Sequence, residues 1–320
     1  MSDGFLQIWN HYRAEGLGAA ARAAMSHPES LLYLALLAFA EERYGEAAAF
    51  AERAAQAAPD ALLPRTAAVY LARVAREGKR NVYVSAEGFR VFIRGGGNVP
   101  LYQETSAALA RSYPSAPFEL LDIGVGDGMA LLPALTPAVR RVTLVEPAAP
   151  LLERTTQELA TRGMAYDAFA GNLQAFAAEP RTQPLRWEVA QATFSLHSLV
   201  PPARTELLRW LRSRCETLLI AEFDAPSMDE PLNPETVRYV LTRYKEGLAE
   251  YTGADFETVA QGFLMPVMFG YVDRTVTRTT FEHPMVLWEQ MLREAGFSQV
   301  GRRLLFSYWW APAWLLVARP

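Results

Sequence analysis

The stretch LLDIGVGDGMALLPAL, residues 120–135, limits the fold more than any other part of the chain. A short apolar run ends in Asp122. Gly124, Gly126 and Gly128 follow at alternate positions, and a second apolar run begins near Met129. Glycines so placed allow a tight turn and let a ligand approach bare backbone. A strand entering this turn and a helix leaving it would make half of a βαβ unit, with amide donors and the positive dipole end at the helix N-terminus. The rest of the chain keeps the same rhythm. FELLDIG, RRVTLVEP, WEVAQATFS and ETLLIAEF read as short strands with helical segments between them. SQVGRRLLF and AWLLVAR read as a terminal pair of strands joined by SYWWAP.

The expected fold class is therefore α/β: a Rossmann-like, doubly wound sheet, mostly parallel with an antiparallel terminal strand, and an N-terminal α-helical subdomain. That subdomain contains LLYLALLAFAEERYGEAAAFAERAAQAAPD, an αα-hairpin with its break at Tyr44-Gly45 and its stop at Pro59. Part of it resembles half of a tetratricopeptide repeat, without a second copy. A third helix, ALLPRTAAVYLARVAREG, places Leu62, Val69, Tyr70 and Val74 on one face. VYVSAEGFRVFIRGGGN (82–98) alternates as an extended segment would and ends in the turn Gly95-Gly96-Gly97, with a helix expected from near Pro100. A long helix follows Asn233 as N-cap and Pro234 as first helical residue, with Val237, Val240, Leu241, Tyr244, Leu248 and Tyr251 as its stripe. These divisions give residues 1–80 as a helical cap, 81–117 as lid and linker, and 118–320 as the α/β domain with a helical insert at about 225–285.

Composition narrows the partners. The net charge is −4 with no Lys/Arg-rich block, which points away from nucleic acid and from anionic membrane. No apolar run reaches membrane-spanning length, and the start lacks the marks of a signal peptide. Cys215 stands alone, so no intramolecular disulfide forms; a cytoplasmic location is expected. His11, His27, His197 and His283 lack metal-ligand spacing, so no metal site is expected.

Two ligand classes compete for the glycine turn. A dinucleotide fingerprint is G-x-G-x-x-G, but here the third glycine falls one residue early and Met129 stands in its place. The stretch reads D-x-G-x-G-x-G, and an acid two residues before the first glycine suits a cationic ligand better than a pyrophosphate. S-adenosylmethionine carries a sulfonium and an ammonium, which explains Asp122. Glu146 closes the next strand, where an acid can accept from both ribose hydroxyls.

DIGVGDG followed by VTLVEP resembles motifs I and II of class I S-adenosylmethionine-dependent methyltransferases. AFAGNLQAF (168–176) is similar to the third motif of that family, which implies that Asn172, with Leu173 beside it, reads the adenine; the family often has Asp there. ATFSLHSL (192–199) resembles the fourth-strand motif that faces the transferred methyl group, and LLIAEF the fifth strand. A narrower resemblance joins the helical N-terminus, LLDIGVGDG, SLHSLVPPARTELLRWL and SYWWAPAW to the GRAS family, whose plant members are regulators and whose bacterial relatives are methyltransferase-like. This chain keeps the glycines and both acids, which favours an enzyme.

Methyl transfer needs alignment, desolvation and, for a poor nucleophile, a base. His197 after the fourth strand and Glu222 after the fifth are the catalytic candidates, with Tyr83. Gln103 joins Asp122, Gly124, Gly126, Gly128, Glu146, Asn172 and Leu173 on the cofactor. Arg94, Asn98 and Tyr102 of the lid, and Trp309 beside Trp310, are candidates for the acceptor. An arginine in a lid suits a carboxylate or phosphate. The acceptor expected is a small molecule, and the aromatic residues of the insert either line its pocket or form a homodimer interface. A scaffold that keeps the fold without chemistry and, more weakly, a nicotinamide-dependent oxidoreductase remain as alternatives.

Overall fold

The computed structural model describes residues 4–24, 26–79 and 84–320. Seven strands form one sheet: β1 (Phe118–Ile123), β2 (Val139–Glu146), β3 (Ala165–Ala170), β4 (Trp187–Thr193), β5 (Cys215–Phe223), β6 (Gln299–Ser307) and β7 (Pro312–Arg319). Their order is β3-β2-β1-β4-β5-β7-β6. The first five pair in parallel, and β7 runs antiparallel between β5 and β6. This is the α/β, Rossmann-like sheet that the alternation of strands and helices leads one to expect. The order reverses at β1 and β4, and in such sheets that switch point opens a crevice above the strand ends.

Alternation within each strand builds two cores. Leu120, Leu144, Val189 and Leu219 belong to the core on one face, and Leu121, Val145, Ala190 and Leu218 to the core on the other. Successive side chains of a strand point to opposite faces, so near-continuous apolar strands mark a sheet covered on both sides. β3 breaks that rule. It is an edge strand, AYDAFA, whose side chains are exposed or half-buried, and nothing in its sequence resembles a buried strand.

The chain divides into two compact units, and neither is continuous. The sheet unit is Val99–Ser227 with Thr279–Pro320; the other is Met1–Asn98 with Met228–Arg278. These bounds differ from the divisions expected at 80 and 117, and they group 228–278 with the N-terminal helices. Aromatic packing explains why the insert joins the N-terminal helices. Phe269 lies 5.1 Å from Phe39 and stacks on Tyr70 at 5.4 Å, Phe263 stacks on Phe92 at 4.1 Å, and the Tyr33 hydroxyl donates to the Leu232 carbonyl.

Within the helical unit, the hairpin is Pro28–Ala40 and Tyr44–Ala57. Its turn falls at 41–43, where Glu42 is left-handed (φ 59°), so Tyr44 opens the second helix instead of breaking the first. The third helix, Leu62–Glu77, buries Leu63, Ala67, Tyr70, Leu71 and Val74, while Val69 is 56% exposed, so its inner face is rotated from the one expected. The segment read as extended holds the helix Ala86–Ile93, N-capped by Ser85, whose hydroxyl accepts from Gly88 N. Asn233 caps the helix Pro234–Ala249 through Thr236 N at 2.8 Å, and the expected stripe from Val237 to Leu248 is buried.

Candidate functional site

The glycine turn takes the conformation its sequence demands. Gly124, Gly126 and Gly128 all have positive φ, at 69°, 57° and 79°. They differ in what surrounds them. A Cβ on Gly124 would lie 2.4 Å from Ser195 Cβ, and one on Gly128 2.8 Å from the Leu132 side chain. A Cβ on Gly126 would meet nothing within 4 Å. Gly124 thus allows the β1 and β4 loops to touch, whereas Gly126 leaves open space. The helix expected from Met129 is one turn only, Leu131–Ala134, so the turn's donors are its own amides and not a helix dipole.

The two acids play different parts. Glu146, at the end of β2, accepts from Gly126 N through Oε2 and from Ala148 N through Oε1, both at 2.8 Å. It ties the glycine loop to the next strand, and each oxygen keeps a further lone pair. Thr155 Oγ1 secures the loop again by donating to Gly126 O. Asp122 is buried beneath the loop. Gln191 Nε2 donates to its Oδ2 at 2.7 Å, and the Tyr113 hydroxyl donates to Gln191 Oε1 at 2.6 Å. Burial pushes the Asp122 carboxyl up to about 7, against the hydrogen bond from Gln191 and with the charge of Glu146 adding to the rise.

Two adjoining cavities open above the strand ends, and Gly124 and Phe194 line both. The larger, about 270 Å³, is lined by Glu146, Asn172, Leu173, Ser195 and Leu196 among others. The smaller, about 130 Å³, is lined by Tyr102, Asp122, Gly126, Asp127 and Thr193 among others. Asn172 is the N-cap of Leu173–Ala178: its Oδ1 accepts from Ala175 N, and its Nδ2 makes no hydrogen bond among the described residues. Leu173 is buried against the cavity wall. Tyr102 meets Phe194 edge-on at 5.9 Å; burial and the charge of Asp127 push its hydroxyl up to about 12.

His197 and Glu222 are brought together. His197 Nδ1 lies 2.9 Å from Glu222 Oε2, and His197 N donates to Glu222 Oε1 at 3.1 Å. The carboxylate side chain is 2% exposed and the imidazole 19%. Burial lowers the proton affinity of His197, but the charge and hydrogen bond of Glu222, with Glu282, outweigh burial and the opposing charge of Arg204, so its pKa is raised. His197 lines neither cavity; its neighbours Leu196 and Ser198 line the larger one.

The other expected site residues among those described line neither cavity. Gln103 is exposed and lines neither cavity, which removes the reason for assigning it to a cofactor. Asn98 is buried with its amide donating to Phe92 O at 2.9 Å and Tyr251 Oη at 3.4 Å. Arg94 is exposed at the C-cap of its helix. Trp309 is buried between Tyr308 and Trp310, and Trp310 Nε1 donates to Glu282 Oε1. Tyr83 lies outside the described residues. Gln191, Phe194, Ser195 and Glu282 are parts of the site that the sequence reading missed. Only Gln191 left a signal, a lone amide inside an apolar strand. Phe194 is left-handed (φ 49°), which nothing in its identity announces.

No protein-family model matches the chain, and no curated protein matches it significantly. Among solved structures, similar folds include a Nostoc punctiforme protein named as an O-methyltransferase (16% identity, TM-score 0.45). That match covers 69% of this chain and 56% of the other, little more than half its length. Burkholderia thailandensis 1,6-didemethyltoxoflavin N1-methyltransferase, solved with S-adenosylhomocysteine, matches at 18% identity and TM-score 0.42 over 68% of this chain and 77% of that one. The mitomycin 7-O-methyltransferase MmcR matches at 17% and 0.43 over 95% and 71%. At such scores the likeness carries no argument about activity, which rests on the site itself.

Proposed function

We propose that the chain is a methyltransferase that uses S-adenosylmethionine and a small-molecule acceptor, with His197 as general base. The observation that carries this reading is a juxtaposition along one edge of the sheet. An open glycine loop with acid-lined cavities stands above β1 and β2, and a histidine–carboxylate pair stands above β4 and β5.

The residues fit the cofactor. Asp122 borders the smaller cavity, where a cationic amino acid group gains most from an anion. Glu146 keeps lone pairs for ribose hydroxyls. Asn172 Nδ2 and the apolar wall at Leu173 suit an adenine edge. Gly126 leaves room for close approach. When bound, the cofactor supplies a methyl group on a sulfonium, already activated for in-line displacement.

The protein's own part is positional and protonic. Because Nδ1 faces a carboxylate, it carries the proton, and Nε2 holds the lone pair. Nε2 takes the proton from an acceptor O–H or N–H, and Glu222 stabilises the imidazolium that results. Trp309 is retained as a wall of the acceptor's pocket.

The test is transfer of label from methyl-labelled S-adenosylmethionine to a panel of small hydroxyl-, amine- and carboxylate-bearing acceptors, with His197→Gln beside the wild type. Transfer that falls about a hundredfold or more in the variant supports the base role. Cofactor binding without labelling of any acceptor would favour a non-catalytic scaffold comparable with the plant GRAS regulators.

A further inference from the structure

Arg204, near the start of the helix Pro201–Arg212, is fully buried, although arginine almost never is without a partner. Among the described residues it hydrogen-bonds to no carboxylate. Its Nε donates to Leu196 O at 3.0 Å, and its Nη2 donates to Leu199 O at 2.9 Å and to Phe281 O at 2.7 Å. Nη1 has no acceptor among the described residues. The guanidinium carbon lies 4.4 Å from the centre of the Trp288 ring, which adds a cation–π contact.

The three carbonyls share one neighbour. Leu196 and Leu199 flank His197 in sequence, and Phe281 N donates to His197 O at 2.7 Å. One planar fork therefore holds the backbone before His197, the backbone after it and the strand of chain that grips its carbonyl. Its rigid donor geometry is what lysine lacks. We propose that Arg204 is a positioning residue for His197, holding the imidazole against Glu222 through the backbone before and after it. This rests on the reading of His197 as the base.

Position and charge act together. The charged groups that bear on His197 are Glu222 on β5, Glu282 on the returning segment and Arg204 on the helix. The two carboxylates raise its proton affinity and Arg204 lowers it. Arg204 thus works against the two carboxylates in setting the proton affinity of the imidazole.

Two variants separate these roles, read by NMR titration of the histidine ring signals, assigned with His197→Gln, and by hydrogen exchange. Arg204→Met removes both fork and charge. The His197 titration should move to higher pH, and amides 195–199 should exchange about tenfold faster, the equivalent of one lost charge-assisted hydrogen bond. Arg204→Lys keeps the charge without the fork. Its His197 titration should stay near that of the wild type while amides 195–199 still exchange faster than the rest of the sheet unit. Unchanged exchange at 195–199 in either folded variant would overturn the proposal. So would exchange raised evenly across the protein with the His197 titration unmoved, the mark of a merely structural arginine. If Arg204→Met does not fold, Arg204→Lys decides by the same local exchange. Calorimetry of the wild type with S-adenosylmethionine runs alongside: no binding there would sink the proposed function and leave the Arg204 result standing.

Discussion

Above β1 and β2 the crevice is made of backbone. Gly124, Gly126 and Gly128 shape it by their positive φ, and the acid that closes β2 spends both oxygens on loop amides. Above β4 and β5 it is made of side chains. His197 meets Glu222 across 25 residues of sequence, and Arg204 and Glu282 act on the pair from two further segments. The backbone half is tied at Gly126, whose N–H donates to Glu146 and whose carbonyl accepts from Thr155. The side-chain half is held by long-range hydrogen bonds, and its chemistry can be tuned by single substitutions.

The largest expected effect lies on the side-chain half. His197→Gln should lower kcat by about 10²–10⁴-fold and leave cofactor affinity within error, measured by single-turnover kinetics and calorimetry. Equal loss of affinity would erase the contrast between the halves. On the backbone half, Gly124→Ala combines a forced left-handed alanine with a clash at Ser195, and chemical denaturation should show a loss of roughly 2–4 kcal/mol. Gly126→Ala has the strain without the clash, roughly 1–2 kcal/mol, yet should lose cofactor binding because its methyl group occupies the open space. Similar destabilisation by both would mean that the open space is not where a ligand sits.

pH dependence sharpens the comparison further. As the proposed base, His197 would act when neutral; its pKa is raised, so activity should rise with pH through a midpoint above 6.5. Glu222→Gln removes the charge that raises it and should move that midpoint down. Asp122 behaves oppositely in origin. Its folded pKa is about 7 against an ordinary 3.8, so the fold favours its protonated form. That contribution to stability is complete below pH 3.8 and lost as pH climbs to about 7. Denaturation at pH 5 and pH 8 should show the decline in the wild type and a smaller one in Asp122→Asn, where the raised pKa of His197 still contributes. A cationic ligand favours the ionised carboxylate, so cofactor affinity should tighten from pH 6 to pH 8, and this slope should vanish in the same variant.

The contrast also explains what the sequence made legible. Glycine spacing, strand-end acids and the Asn233-Pro234 cap are local signals, and the structure carries each of them in the expected place. His197 and Glu222 were legible as separate strand-end residues, but their contact depends on β4 and β5 being neighbours. The segment 86–93 alternates in sequence and still forms a helix, because Phe92 stacks on Phe263, some 170 residues away. The same long-range packing draws 228–278 to the N-terminal helices, and no composition shift marks that partnership. Edge strand β3 was missed because it buries almost nothing.

The most direct measurement is calorimetric titration of the folded wild type with S-adenosylmethionine and S-adenosylhomocysteine, beside Gly126→Ala. One-to-one binding at micromolar concentration that the variant abolishes is the result predicted. A folded wild type that binds neither ligand would contradict the assignment of the glycine loop and its flanking cavities to this cofactor.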